Sequence, residues 1–232
     1  MRGLLCIEPL YHAIVSGKKT QTRRAGAALN SINKNPDKWK FTIFKHDYDD
    51  ITNPMYAVFR SSNIHDRPLV YPLYKIGEVL YLKEPIIKKP DGCISYYYDM
   101  YKPTRDGTLK YAGLKKNNKL FMPASAARAF IKITGIKCER LLDISDEDCI
   151  AEGIEASGYG EGYYINYLMD ETYGYDYLDN TPKESFISLY KLANKLAKRG
   201  SVPPHGQLPT PPGVDNTWVW VYTFEYLPNY KP

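Results

Sequence analysis

Hydrophobic positions fall into short runs separated by long polar stretches. The run from Gly3 to Ile7 is apolar throughout and predicts a buried strand. Pro9 suits the first turn of a helix, Leu10, Ala13 and Ile14 recur at helical spacing, and Gly17 stands where a C-terminal cap belongs. Residues 18–24 then predict an extended segment with Thr20, Thr22 and Arg24 on one side and Lys18 and Arg23 on the other, solvated side. Periodicity is lost over residues 25–72. They predict a long connection with short strands at 40–44 and 56–60, either an insertion or a functional flap.

The second half is better patterned. A turn at 74–78 feeds a strand over 79–84, and the Tyr-rich stretch 92–111 has hairpin character around Arg105-Asp106-Gly107. Ile131, Ile133 and Ile136 predict a strand over 129–140, with Gly135 at a bulge. Ser145, followed by Asp146, Glu147 and Asp148, predicts a helix start, and Gly153 its end. Residues 155–180 are a second weakly patterned stretch and a second candidate flap. Thr181-Pro182-Lys183-Glu184 reads as a capping box. Its helix runs to about Arg199 with Phe186, Leu189, Leu192, Ala193 and Leu196 on one face, and Gly200 closes it. A Pro-rich linker over 201–214 precedes a final strand over 218–226, whose Trp218 and Trp220 face predicts core. Short strands with few helices and no regular βαβ alternation predict an α+β fold. Its centre is a small, mainly antiparallel β-barrel with flanking helices, in one domain over 1–232 with insertions at 25–72 and 155–180.

Composition adds bounds. The net charge of +5 is mildly basic and compatible with a polyanionic partner. The 22 tyrosines suit strands, core edges and wet stacking surfaces alike. Cys6, Cys93, Cys138 and Cys149 form no CxxC pair and predict free thiols in a reducing compartment. With His12, His46, His65 and His205 equally scattered, no metal or cofactor is implied. The first apolar run is too short for a signal peptide and no run approaches a membrane span, so a cytoplasmic location is expected.

Five segments, in order, resemble the ASCH domain family, a branch of the PUA-like β-barrels, and in particular its longer phage- and prophage-encoded members. They are Ala13-Ile-Val-Ser-Gly-Lys-Lys-Thr-Gln-Thr-Arg-Arg24, Ile76-Gly-Glu-Val-Leu-Tyr-Leu-Lys-Glu84, Phe121-Met-Pro123 with Arg128, Leu142 to Ile154, and Asn216-Thr-Trp-Val-Trp-Val221. Ala124-Ser125 stands where the family usually has Arg-Trp, and Lys83-Glu84-Pro85 where Arg-Glu-Thr is common. The resemblance implies a barrel whose cleft holds RNA or a modified base. One branch of the family deacylates N4-acetylcytidine with a Lys, a Thr and a Glu, which match Lys19, Thr22 and Glu152.

The residues allow that chemistry and a blander one. Cationic neighbours and burial lower the proton affinity of Lys19, which then suits it to take a proton from the Thr22 hydroxyl. Glu152 is placed to donate a proton or to hold Lys19. The alternative is a solvated basic turn with Glu152 as a salt-bridge partner. Arg24 and Arg128, with Thr20, fit phosphate or base-edge contacts, and Glu84 fits an exocyclic amine. Otherwise the arginines are surface cations or bridges to Glu84. The tyrosines between 159 and 177 either stack bases, shield the barrel or make a protein contact. Three functions therefore stand open. The leading one binds RNA, single-stranded nucleic acid or a modified nucleoside. The others are an amidohydrolase acting on acylated cytosine and a phage accessory protein that binds a host protein through its Tyr-rich stretches.

Overall fold

The fold is seen in a computed structural model that describes residues 1–45, 55–89, 92–97, 117–158, 161–168, 178–194 and 215–231. The central sheet contains β1 (Arg2–Leu5), β2 (Gln21–Arg24), β6 (Val79–Lys83), β9 (Phe130–Arg140) and β10 (Trp218–Tyr226), in the spatial order β1-β6-β9-β10-β2. β1 runs parallel to β6, and every other neighbouring pair is antiparallel. β10 has a partner on each side and is covered on both faces, so Trp218 through Tyr222 are all buried in sequence. This places both tryptophans of the strand in the core, as the sequence predicts. The β9–β10 register shifts between Thr223 and Phe224, opposite Gly135 and Ile133. A Cβ on Gly135 would come within 2.4 Å of the Thr223 hydroxyl, so glycine permits the close approach at this bulge.

The described residues of 25–72 form a second layer. α2 (Asn30–Asn33) is followed by a sheet of β3 (Lys40–Lys45), β4 (Tyr56–Arg60) and β5 (Leu69–Val70). Phe59 packs edge-on against Trp218 at 5.0 Å between ring centroids, and Leu29, Ile32 and Ala57 are fully buried in the same cluster. The inner face of this stretch is thus continuous with the main core. β7 (Ile86–Lys88) and β8 (Ile94–Tyr96) pair as a small hairpin; the turn expected at Arg105–Gly107 lies outside the described residues.

Of the four described α-helices, two start at a side-chain cap, while α2 and the helix that follows β1 have none. α1 (Glu8–Val15) buries Leu10, Tyr11, Ala13 and Ile14 and is followed by Gly17 at φ 77°. Ser145 accepts from the Asp148 amide at the start of α3 (Asp146–Ala151). Thr181 accepts from the Glu184 amide at 3.1 Å, and the Glu184 carboxylate accepts from the Asn180 amide at 2.9 Å. The helix they begin, α4 (Pro182–Ala193), ends earlier than its sequence pattern suggests. Ala193 is exposed, the buried face is Phe186, Ile187 and Leu189, and the expected closure at Gly200 and the linker 201–214 lie outside the described residues.

The central sheet does not close into a barrel among the described residues. β1 and β2 remain its two edges, and the contact across the seam between them is a side-chain bond, from Arg24 Nη2 to the Leu5 carbonyl at 2.8 Å. The architecture is α+β with mostly antiparallel sheets.

Within 155–180, Tyr164 forms isolated antiparallel bridges to Ala156 and to Asp179. The Asp179 carboxyl is buried there. Oδ1 accepts from Asn166 at 2.9 Å while Oδ2 has no partner among the described residues. Burial first, and the Glu184 charge second, push its pKa up to about 7. A carboxyl raised on folding stabilises the fold fully below its unfolded value of about 4, and that contribution is lost as pH rises through about 7. Urea denaturation should therefore show wild type losing stability between pH 5 and pH 8. Asp179→Asn should flatten that decline and be the more stable protein at pH 8. Parallel pH profiles for the two would contradict this assignment.

Candidate functional site

Backbone bonds fix the Lys19 side chain before its chemistry begins. After α1 the Lys19 amide returns to the Ala13 carbonyl at 2.9 Å. Thr20 then bonds outward in two directions, its amide to Ala151 at the end of α3 and its carbonyl to the Phe224 amide of β10, both at 2.8 Å. The Thr20 side chain faces solvent, while Lys19 turns inward against the end of α3. Gly153 makes room for it. Its φ of 90° suits glycine, and a Cβ there would meet the Lys19 and Ala13 Cβ atoms at 3.0 and 3.1 Å.

Lys19 is buried, and its Nζ donates to the Glu152 carbonyl at 2.6 Å and to Glu152 Oε2 at 2.5 Å. Burial lowers the Lys19 pKa, the Glu152 charge and hydrogen bond oppose that effect, and Arg24 adds to it. The other Glu152 oxygen, Oε1, accepts from Arg23 Nη1 at 3.1 Å.

Arg23 corrects the sequence reading. It is not solvated: its side chain is 1% exposed, and the guanidinium also reaches Glu139 (2.6 and 2.9 Å) and Asp148 (2.6 Å). Burial alone would lower its proton affinity, yet the carboxylates around it raise it. Lys137 and Gln21 complete the network on Asp148. Burial would raise the Asp148 pKa, but hydrogen bonds from Gln21, Lys137 and Arg23 hold it at about 2. Alternation misled here because it assumes one wet face, and β2 is covered on both. Lys18 meets its expectation, pairing at the surface with Glu155 at 3.0 Å.

Thr22 is buried opposite Tyr222, and its hydroxyl has no hydrogen-bond partner among the described residues. Arg24, next along β2, crosses the seam to Leu5, forms no ion pair among the described residues, and keeps a buried Nε–H without an acceptor. Lys119 enters the same seam, donating from Nζ to the Cys6 carbonyl at 2.5 Å. Burial pushes the Cys6 thiol pKa up, while the charges of Arg24, Lys19 and Lys119 pull it down. Three cations thus surround the end of β1 where the sheet is open. Lys119 was missed in the sequence; its only signal is its place two residues before Phe121-Met122-Pro123.

Glu84 and Arg128 form a separate cluster. Glu84 is fully buried, accepting from Tyr11 Oη at 2.9 Å and from Arg128 Nε and Nη2 at 2.7 and 2.8 Å. The Arg128 guanidinium lies 4.1 Å from the Tyr96 ring centroid and 5.7 Å from that of Tyr11. Burial, then the Glu84 charge, push the Tyr11 pKa up. Of the residues singled out in the sequence, Lys19 and Glu152 meet directly, Arg24 lines the seam beside them, and Arg128 pairs with Glu84.

Scans against family models, curated proteins and solved structures find no match to this chain. Among the described residues no group of three or more His, Cys, Asp or Glu is placed to hold a metal ion, and no helix is long and apolar enough to cross a membrane.

The two neighbouring cations Lys18 and Arg23 should respond oppositely to truncation. Arg23→Ala removes the cation shared by three carboxylates, leaving Glu152 to Lys19 and both Asp148 and Glu139 to Lys137, and should cost about 3–5 kcal/mol in urea denaturation. Lys18→Ala removes an exposed pair and should stay within about 1 kcal/mol. Similar small effects at both positions would show that the Arg23 network does not hold the fold.

Proposed function

We propose that this chain is an ASCH-type protein, that its central sheet is a small PUA-like barrel left open between β1 and β2, and that this seam holds single-stranded RNA or a modified nucleotide. Arg24 carries the reading. Its neighbour Arg23 is matched by three carboxylates, whereas among the described residues Arg24 has a backbone carbonyl as its partner and a buried donor left over. A buried donor without an acceptor is costly, and a guanidinium is a planar fork suited to phosphate oxygens. Lys119 and Lys19 add positive potential at the same place. The four free cysteines suit a cytoplasmic setting for this role.

One observation favours a second reading, the amidohydrolase: Lys19 and Glu152 are in direct contact in a buried site. In that reaction uncharged Lys19 takes the Thr22 proton as the hydroxyl attacks the acyl carbon, and Glu152 relays that proton to the leaving amine; water then cleaves the acyl–Thr22 ester, releasing the carboxylic acid and restoring the hydroxyl. Thr22 makes no hydrogen bond to Lys19, so binding remains the better supported function. Turnover of N4-acetylcytidine by wild type, lost in Lys19→Ala, would reverse that order.

Fluorescence anisotropy with labelled single-stranded RNA should show binding that weakens steeply between about 50 and 200 mM salt. Arg24→Ala should weaken binding at low salt and reduce the salt slope by about one. The binding reading fails if wild type binds no RNA, single-stranded DNA or nucleoside at low salt.

A further inference from the structure

A cavity of about 260 Å³ lies beside the 3₁₀ turn Lys119–Phe121, between that turn and β7. Ile86 and Met122 supply apolar wall, Asn117 and Asn118 supply carboxamides, Lys88 supplies a cation, and Phe121 lines its edge. No acidic residue lines it. The Phe121 ring is 79% exposed, the most exposed large hydrophobic side chain among the described residues.

The backbone of the turn that carries that ring is pinned by hydrogen bonds. Asn118 Oδ1 accepts from the Leu120 amide at 2.9 Å, Lys83 Nζ donates to the Leu120 carbonyl at 2.8 Å, and Tyr81 Oη donates to the Met122 carbonyl at 3.1 Å. The Asn117 amide is fixed on the Ile86 carbonyl at 2.9 Å. Its carboxamide, however, has no partner among the described residues, and Lys88 there forms no ion pair. An exposed ring fixed beside a small cavity, with a spare amide and an unneutralised cation, presents stacking, hydrogen-bonding and charge together. Those are the recognition elements of a nucleotide, and the volume suits one planar base.

We infer that Phe121 is a stacking platform for one base of a single-stranded nucleic acid, with Asn117 on the base edge and Lys88 on a phosphate. The inference rests on the seam reading above, because the same turn sends Lys119 to the seam and Phe121 to the cavity. A strand whose backbone lies at Arg24 and Lys119 therefore meets Phe121 next. The surface position of the ring means that its replacement should leave folding intact.

The test uses the full chain and a labelled oligouridine. Phe121→Ala should raise the Kd by about 5- to 150-fold, the loss of one base–aromatic stack, without changing the salt slope or the Tm. Phe121→Trp should retain binding, and its added indole fluorescence should quench on titration. Lys88→Ala should instead reduce the salt slope by about one. If wild type binds and Phe121→Ala binds equally well, the platform is overturned and the seam reading stands. If the Phe121→Trp fluorescence does not respond to bound oligonucleotide, the platform is likewise overturned. If wild type binds no oligonucleotide, both fall together.

Discussion

Glu152 accepts from two buried cations at once, and the structure around it is arranged so that none of the three is left alone. Removing a carboxylate from water costs several kcal/mol unless its oxygens are matched, and the same holds for the ammonium and guanidinium beside it. The match is made across distant stretches of chain. Lys19 and Arg23 come from β2 and the turn before it, Glu152 from the end of α3, Asp148 from within α3, and Glu139 and Lys137 from β9. Three cations face three carboxylates. Any slip of β2 by one residue would exchange Arg23 for Thr22 or Arg24 and strand at least one charge, so the network fixes the register of an edge strand that has only one neighbour to pair with.

That fixed register creates the contrast on which function turns. Arg23 and Arg24 are adjacent in sequence and point to opposite sides of β2. One side is closed by α3 and its acids. The other faces the open seam, where the acceptors supplied are the carbonyls of Leu5 and Cys6. A protein able to gather three carboxylates around Arg23 leaves its neighbour with none. The asymmetry separates a cation that stabilises the fold from one that is available to an external anion.

What was legible in the sequence was local. Ser145 and Thr181 announce their helices because a cap and the amide it satisfies lie three residues apart. Gly135 announces a bulge, and Trp218 and Trp220 a core, because strand alternation carries that information. Arg23 lies more than a hundred residues from both Glu139 and Glu152, and no pattern within β2 reveals that acids elsewhere will cover its second face. Lys119 was invisible for a related reason: its role depends on reaching the end of β1, 113 residues away. Glu84 and Arg128 were recognised as important, but the fold shows Glu84 satisfied internally by Arg128 and Tyr11. The Lys19–Glu152 meeting was anticipated through family resemblance; spacing alone would have left it as a basic turn.

The same pair also bears on which of the two proposed readings, binding or hydrolysis, the site favours. Burial pulls protons off Lys19, and Glu152 opposes that pull through both charge and hydrogen bond. Holding an anion at the seam needs Lys19 charged; acting as a base for Thr22 needs it neutral. In the arrangement found, Glu152 contacts Lys19 through both its carboxylate and its carbonyl, so the offset is at its strongest. A ligand that drew the Glu152 carboxylate towards Arg23 would weaken the offset and leave burial to strip the proton. The hydroxyl of Thr22, a buried residue of β2, has no partner among the described residues and would then have a base to meet. In the two proposed readings, binding and catalysis differ by the position of one carboxylate, whose oxygens Lys19 and Arg23 share.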